Sequence, residues 1–416
     1  MIKSALRAML AIVMTALLAT PAAAFDPPPG QVWARPSAQE LGIPEENMPR
    51  FLGQSQIDAY VPETGHSVTG YMLDYWRANG AETVYGNPIS QPFGASNQLY
   101  SQAFERGIFQ YSTVWLHSDD PAVRLMPIVQ QSLDESRTDR RSDGRRKAAD
   151  RRSGVVPPSV DTVRADEISA SGGRLSTETG FSIAGQFGAW YDAHEGWFYL
   201  GSPLSEPMRI RGVEGQMFQN GILLMQDDVL NLAPLPRENP AKYGFDTTPI
   251  EQGDRPVYSE ALFYTTWNPY GVDPTAIATG PKHIVVNIAE QKLYAYQGDT
   301  LVLETLTSTG LAPNETEIGF FHVRIKYEAQ TMQGFESGSG EVISLGAEGS
   351  EGSHWAVEDV PNIMYFNYQA EAIHGAYWHN NFGNRMSHGC VNLPLATAAF
   401  MWEFAPLGTP VTVVES

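Results

Sequence analysis

Residues 283–310 read HIVVNIAEQKLYAYQGDTLVLETLTSTG, and the punctuation of this stretch decides the fold of the C-terminal third. Runs rich in Val, Ile, Leu and Tyr break at Ala289-Glu290-Gln291 and again at Gly298-Asp299. Short apolar runs of β-branched and aromatic residues, bounded by turn residues, predict a β-hairpin followed by a third strand. Residues 319–327 (GFFHVRIKY) alternate like one further strand, residues 362–368 predict another, and residues 410–414 close the chain with a last one. Residues 394–404 predict the one helix of this region, with Pro394 at its first turn.

The chemistry is concentrated in residues 373–393, IHGAYWHNNFGNRMSHGCVNL. The single cysteine and three of the nine histidines of the chain fall between His374 and Cys390. A cysteine attacks a carbonyl as the thiolate, and a free thiol with a pKa of about 8.5 is mostly protonated at neutral pH. It needs a base close by and a third group that orients the base. His374, His379 and His388 are the candidates. His388 lies two residues from Cys390, so in an extended loop the two share a face, and Gly389 between them lets the backbone approach a substrate. The N–H groups of Gly389 and Cys390 are then candidate oxyanion donors. A competing reading is a metal site of His374, His379, His388 and Cys390, since imidazole and thiolate suit zinc. The cramped His-x-Cys pair, with no Cys-x-x-Cys or His-Glu-x-x-His spacing, weighs against it. A buried inert cysteine is the third reading.

His374, followed sixteen residues later by Cys390 within Ser387-His388-Gly389-Cys390-Val391-Asn392, resembles the L,D-transpeptidase (YkuD) catalytic domain, with residues 281–416 following that domain in order. The resemblance implies a β-sandwich-like domain that needs no metal or organic cofactor. It makes Cys390 the nucleophile, His374 the base and acid, and Gly375 the residue whose carbonyl orients the imidazole. Gly389 and Cys390 supply oxyanion donors, and His388 completes the catalytic loop. Ser387, Asn392, Tyr365, Trp378 and Met332 are the candidate substrate-binding residues, with core packing the alternative for the last three. The implied reaction takes the stem peptide of peptidoglycan: the thiol attacks the carbonyl of its third residue, releases the terminal D-Ala, and passes the acyl group to an amine of another stem. Water as acceptor would make the chain an L,D-carboxypeptidase, and a non-catalytic wall-binding scaffold is the alternative from another class. Two departures stand out. The family often has Thr-Pro-x-Gly where this chain has Thr316-Glu317-Ile318-Gly319, and many members carry Arg where this chain has Asn392.

Upstream, an internal repeat is visible. At an offset of 115 residues, Gly65, Gly70, Tyr75, Gly86, Pro88, Ser90 and Pro92 meet Gly180, Gly185, Trp190, Gly201, Pro203, Ser205 and Pro207. One deletion later, Phe104 and Gly107 meet Phe218 and Gly221. Each unit, residues 65–117 and 180–233, predicts a short amphipathic helix, a Gly-x-Pro turn and short strands. The pattern resembles the LGFP-type repeats appended to some bacterial wall enzymes. The expected fold class is therefore mainly β, with a C-terminal β-sandwich-like domain preceded by two small α+β repeat units. Wall polymers are candidate ligands of the repeat aromatics, against the alternative that these aromatics form small cores.

Residues 1–24 read as a secretory signal: Lys3 and Arg7, an apolar run, and Ala22-Ala23-Ala24 before Phe25. The rest of the chain has no apolar run long enough to span a bilayer. A Pro-rich lead-in (25–64) follows, and connections are expected at 118–179 and 234–280. The first of these holds RTDRRSDGRRKAADRR at 137–152, a basic tract in a chain of net charge −20. That tract is read as a solvated linker, with an anionic wall polymer as its candidate partner. The overall acidity argues against nucleic acid. A lone cysteine in an exported chain has no internal disulfide to make. Together these features predict a secreted or periplasmic, cell-wall-associated protein.

Overall fold

The computed structural model describes residues 57–96, 99–112, 122–142, 168–169, 172–264, 280–346 and 351–415. The signal, most of the lead-in and the basic tract beyond residue 142 lie outside the described residues. Residues 128–142 of the expected polar connection form a helix, Ile128–Ser142. The chain is mainly β, and it divides into two compact units that interleave in sequence: 1–81, 111–123 and 250–416 in the first, 82–110 and 124–249 in the second.

The first unit contains two five-stranded sheets. Strands β1 (Lys282–Asn287), β2 (Lys292–Gln297), β3 (Thr300–Leu306), β4 (Gly319–His322), β5 (Ile325–Glu336), β6 (Val342–Leu345), β7 (Ser353–Tyr365), β8 (Ala372–Gly375), β9 (Val391–Leu393) and β10 (Pro410–Val414) follow in chain order, with helix α1 (Leu395–Phe404) before the last. One sheet has the order β3-β2-β1-β10-β4 and the other β6-β5-β7-β8-β9. The expected hairpin and third strand are β1 to β3, and β1 alternates strictly between buried and half-buried residues, as one face against a core requires.

The expected single strand at 319–327 is instead two strands in different sheets. The N–H of Val323 donates to Thr409 and that of the next residue, Arg324, to Tyr365, both at 2.8 Å. Consecutive amides of an extended chain point in opposite directions, so a strand between two sheets can hand its hydrogen bonds from one to the other. The strand expected at 362–368 is the end of β7, which starts nine residues earlier.

The first unit is completed by segments far upstream. Strand Ala59–Val61 pairs with His66–Val68, and helix Gly70–Ala78 buries most of its surface. Arg77 on this helix is fully buried and makes a bidentate pair with Glu260, at 2.9 and 2.8 Å. Lys282, at the start of β1, reaches the same carboxylate at 3.2 Å and the Phe404 carbonyl at 2.8 Å. Glu260 is held far below the usual carboxylate range against the cost of burial by Arg77 and then Lys282, and Lys282 is pushed down to about 8, mainly by burial. Residues 250–264, within a stretch whose composition predicts a connection, are thus packed as part of this unit.

In the second unit, a four-stranded antiparallel sheet runs Met208–Ile210, Val213–Met217, Ile222–Gln226 and Val229–Leu232. Its core joins Ile89, Ala103 and Ile108 to Leu204, Leu224 and Phe245. The same turn occurs twice, 115 residues apart. Gly86 and Gly201 have φ of 74° and 71°, and the Ser90 and Ser205 hydroxyls accept the N–H groups of Ala103 and Met217. Helices Gly70–Ala78 and Gly185–Ala193 begin and end at the same offset. Their burial differs: Arg77 is fully buried, whereas Asp192 at the matching position is exposed and pairs with Arg174.

Candidate active site

The His374 and Cys390 segments are brought together by strand pairing. β8 and β9 run parallel with Ile373 opposite Val391, His374 opposite Asn392 and Gly375 opposite Leu393. Side chains of neighbouring strands alternate in step, so His374 and Asn392 share a face, and Cys390, two residues before Asn392, continues it. β8 is wholly buried, as the parallel pair demands.

β9 is the last strand of its sheet, and its open edge is covered. Ser308 and Asn392 exchange backbone hydrogen bonds at 3.0 and 2.9 Å, and Leu311 N–H donates to Ser387 at 2.9 Å. Gln291 fixes this cover from beneath: its amide donates to Thr309 Oγ1 at 2.6 Å and accepts Thr309 N–H at 2.9 Å.

His374 Nδ1 lies 3.1 Å from the Gly375 carbonyl oxygen. A carbonyl only accepts, so Nδ1 carries the proton and Nε2 presents its lone pair. Burial pushes this imidazole down to about 4, against the Gly375 hydrogen bond and with a small contribution from His379. Burial likewise pushes the Cys390 thiol up to about 12, a backbone hydrogen bond from Ala372 opposing it and the Glu371 charge adding to it. Burial thus disfavours the charged form of both groups.

The remaining site residues separate into two groups. Tyr365 and Met332 pack with Cys390 on the cluster formed by Tyr327, Val360, Ile363 and Ala372. Trp378 is exposed with its ring 5.8 Å from that of His374. Asn392 is buried, its side-chain amide 2.9 Å from His379 Nε2. His388 is exposed, stacks on Trp355 and lies 3.3 Å from the Glu336 carboxylate. Ser387 spends its hydroxyl within the loop, donating to the Cys390 carbonyl and accepting the Gly389 N–H at 3.3 Å. Among the described residues, no group of three or more His, Cys, Asp or Glu side chains is placed to hold a metal ion.

Two residues at the site carry no sequence signal of their own. The Thr316 hydroxyl donates to the Gly389 carbonyl at 2.8 Å. The buried Glu371 carboxylate accepts from Asn367 Nδ2 at 2.7 Å and from the Glu317 N–H at 3.1 Å. Thr316 enters the sequence reading only as the first residue of Thr316-Glu317-Ile318-Gly319, with no role attached, and nothing in the spacing of Glu371 marks it.

Residues 281–413 match the family model of the L,D-transpeptidase (YkuD) catalytic domain. The C-terminal part of the chain is a domain of that family. Among curated proteins, it is 31% identical over 138 residues to the probable L,D-transpeptidase ErfK/SrfK of Escherichia coli (strain K12), a match covering 32% of this chain and 44% of that protein. The chain thus spans less than half the length of this relative. Among solved structures, it is 25% identical to the catalytic domain of the E. faecium L,D-transpeptidase, covering 32% of this chain and 96% of that one with a TM-score of 0.27. To an L,D-transpeptidase from Mycobacterium smegmatis it is 17% identical, covering 48% and 72%, with a TM-score of 0.27.

Proposed function

We propose that this chain is an exported L,D-transpeptidase in which Cys390 forms a thioester with a peptidoglycan stem peptide. The observation that carries the reading is the parallel β8–β9 register, which sets Cys390 on the face of a histidine whose tautomer is fixed for accepting a proton. His374 Nε2 takes the proton of the Cys390 thiol as the sulfur attacks the carbonyl of the third stem residue. The negative charge passes to the carbonyl oxygen, which the Cys390 N–H stabilises rather than the expected Gly389 N–H, since Ser387 Oγ accepts the latter. Collapse expels the terminal D-Ala, whose amine takes the proton from His374. An amine of a second stem then gives a proton to His374, attacks the thioester and frees the thiol.

The two shifted groups favour concerted proton transfer. A thiolate ahead of attack would be costly beside Glu371 in a site that burial has already made hostile to charge. A general base with a depressed pKa is weak in water but remains unprotonated at neutral pH. Tyr365 and Met332, which pack with Cys390 on one cluster, and the exposed ring of Trp378 beside His374 form the proposed wall of the donor site.

Intact-mass spectrometry of the protein incubated with a carbapenem tests the reading. A covalent adduct that is absent from Cys390→Ala is the expected result, and the absence of any adduct on the wild type would overturn it. Stem-peptide assays with and without an acceptor amine then separate transfer from hydrolysis.

A further inference from the structure

The loop holding Cys390 has two backbone N–H groups available to a developing oxyanion, and they are not equivalent. That of Gly389 is taken by the Ser387 hydroxyl. That of Cys390 has no acceptor among the described residues: it lies before β9 and donates to no carbonyl of the loops around it. Its direction is fixed from the other side of the same peptide. C=O and N–H of a trans peptide lie in one plane and point in opposite directions. The Gly389 carbonyl accepts from Thr316 Oγ1 at 2.8 Å. Thr316 is buried, and its oxygen in turn accepts the Gly310 N–H at 2.9 Å. A hydroxyl has one proton, and with Gly310 donating to the oxygen that proton is committed to Gly389.

The segment bearing Thr316 is itself held. The next residue, Glu317, donates its N–H to both oxygens of Glu371, at 3.1 and 3.2 Å. Glu371 also borders the loop directly: a Cβ on Gly389 would stand 3.0 Å from its Oε1. A proline at position 317 would have no N–H to offer.

Building on the proposal that Cys390 is the nucleophile, we propose that Thr316 is a positioning residue that aims the Cys390 N–H at the oxyanion, with Glu371 holding Thr316 in place through the Glu317 amide. Thr316 touches neither substrate nor sulfur in this arrangement, and its effect passes through one peptide plane.

The test compares two reactions of Cys390 in the full chain: acylation by a carbapenem, which develops an oxyanion, and alkylation by iodoacetamide, which does not. Thr316→Val is expected to slow acylation about 100-fold, the value of one oxyanion donor, while alkylation stays within about threefold of wild type. Thr316→Ser is expected to restore most of the acylation rate. Should the valine variant not fold, Thr316→Ala carries the same comparison. Acylation unchanged in the hydroxyl-less variant, or acylation and alkylation falling together, overturns the proposal. A wild-type chain that is alkylated but never acylated removes the nucleophile reading as well, and so is distinguishable from failure of the positioning role alone.

Discussion

His374 Nδ1 and the carbonyl of the adjacent Gly375, 3.1 Å apart, fix which nitrogen of the imidazole carries the proton. The bond leaves Nε2 as acceptor, and burial keeps the ring neutral down to about pH 4. Carbapenem acylation is therefore expected to be flat through neutral pH and to fall on the acid side with an apparent pKa well below the ordinary histidine value of about 6.5. A stopped-flow pH profile with its acid limb at 6.5 or above would show that a solvated histidine is the base.

The same shift makes stability depend on pH. The unfolded chain protonates His374 at about 6.5, whereas the folded chain resists down to about 4. The unfolded state therefore binds more protons between these values, and stability falls as pH drops through this window, by up to about 3 kcal/mol from this residue. Urea unfolding at pH 7 and pH 4.5 should differ more for wild type than for His374→Phe.

Glu260 is the counter-charge for both Arg77 and Lys282. Glu260→Gln leaves two buried cations without it and should cost about 3–5 kcal/mol. Lys282→Met removes a charge that burial already disfavours and should cost far less. Thermal unfolding of the two variants gives the order directly, and a larger loss for Lys282→Met would be contrary to this account.

Gly389 has φ of 114° and faces Glu371. Gly389→Ala should abolish most acylation, since backbone strain and side-chain collision act together. Adding Glu371→Ala relieves the collision but also frees the Thr316 segment, so the double variant is read against Glu371→Ala alone and should recover little toward that rate. Near-complete recovery would mean that contact, not conformation, is what requires glycine.

Glu317 contributes its backbone rather than its side chain to Glu371. Glu317→Pro should cost about 1–3 kcal/mol, because the buried Glu371 carboxylate loses one of its donors, while Glu317→Ala keeps the N–H and should cost less. Denaturant midpoints for the pair decide the matter.

Much of this fold is legible in local sequence. The breaks at residues 289–291 and 298–299 mark real turns between β1, β2 and β3, because turn chemistry and alternation act over a few residues. Residues 319–327 alternate as one strand, yet nothing local says that Val323 and Arg324 bond to different sheets; that choice belongs to Thr409 and Tyr365. At the site, His374 and Cys390 stand out because reactive residue types crowd a short stretch. His388 shows the limit of such reasoning: two residues from the cysteine, it turns toward Glu336. Thr316 and Glu371 act through a carbonyl and an amide, and backbone partners leave no mark in residue type.

The interleaving of the two units has a consequence for synthesis and folding. Strand Ala59–Val61 and helix Gly70–Ala78 leave the ribosome early, but Glu260, which neutralises Arg77, emerges about 180 residues later. Until then a cation destined for burial and the apolar face around Trp76 must wait in water. The chain of the second unit is made in that interval, so its own core can form before the first unit is complete.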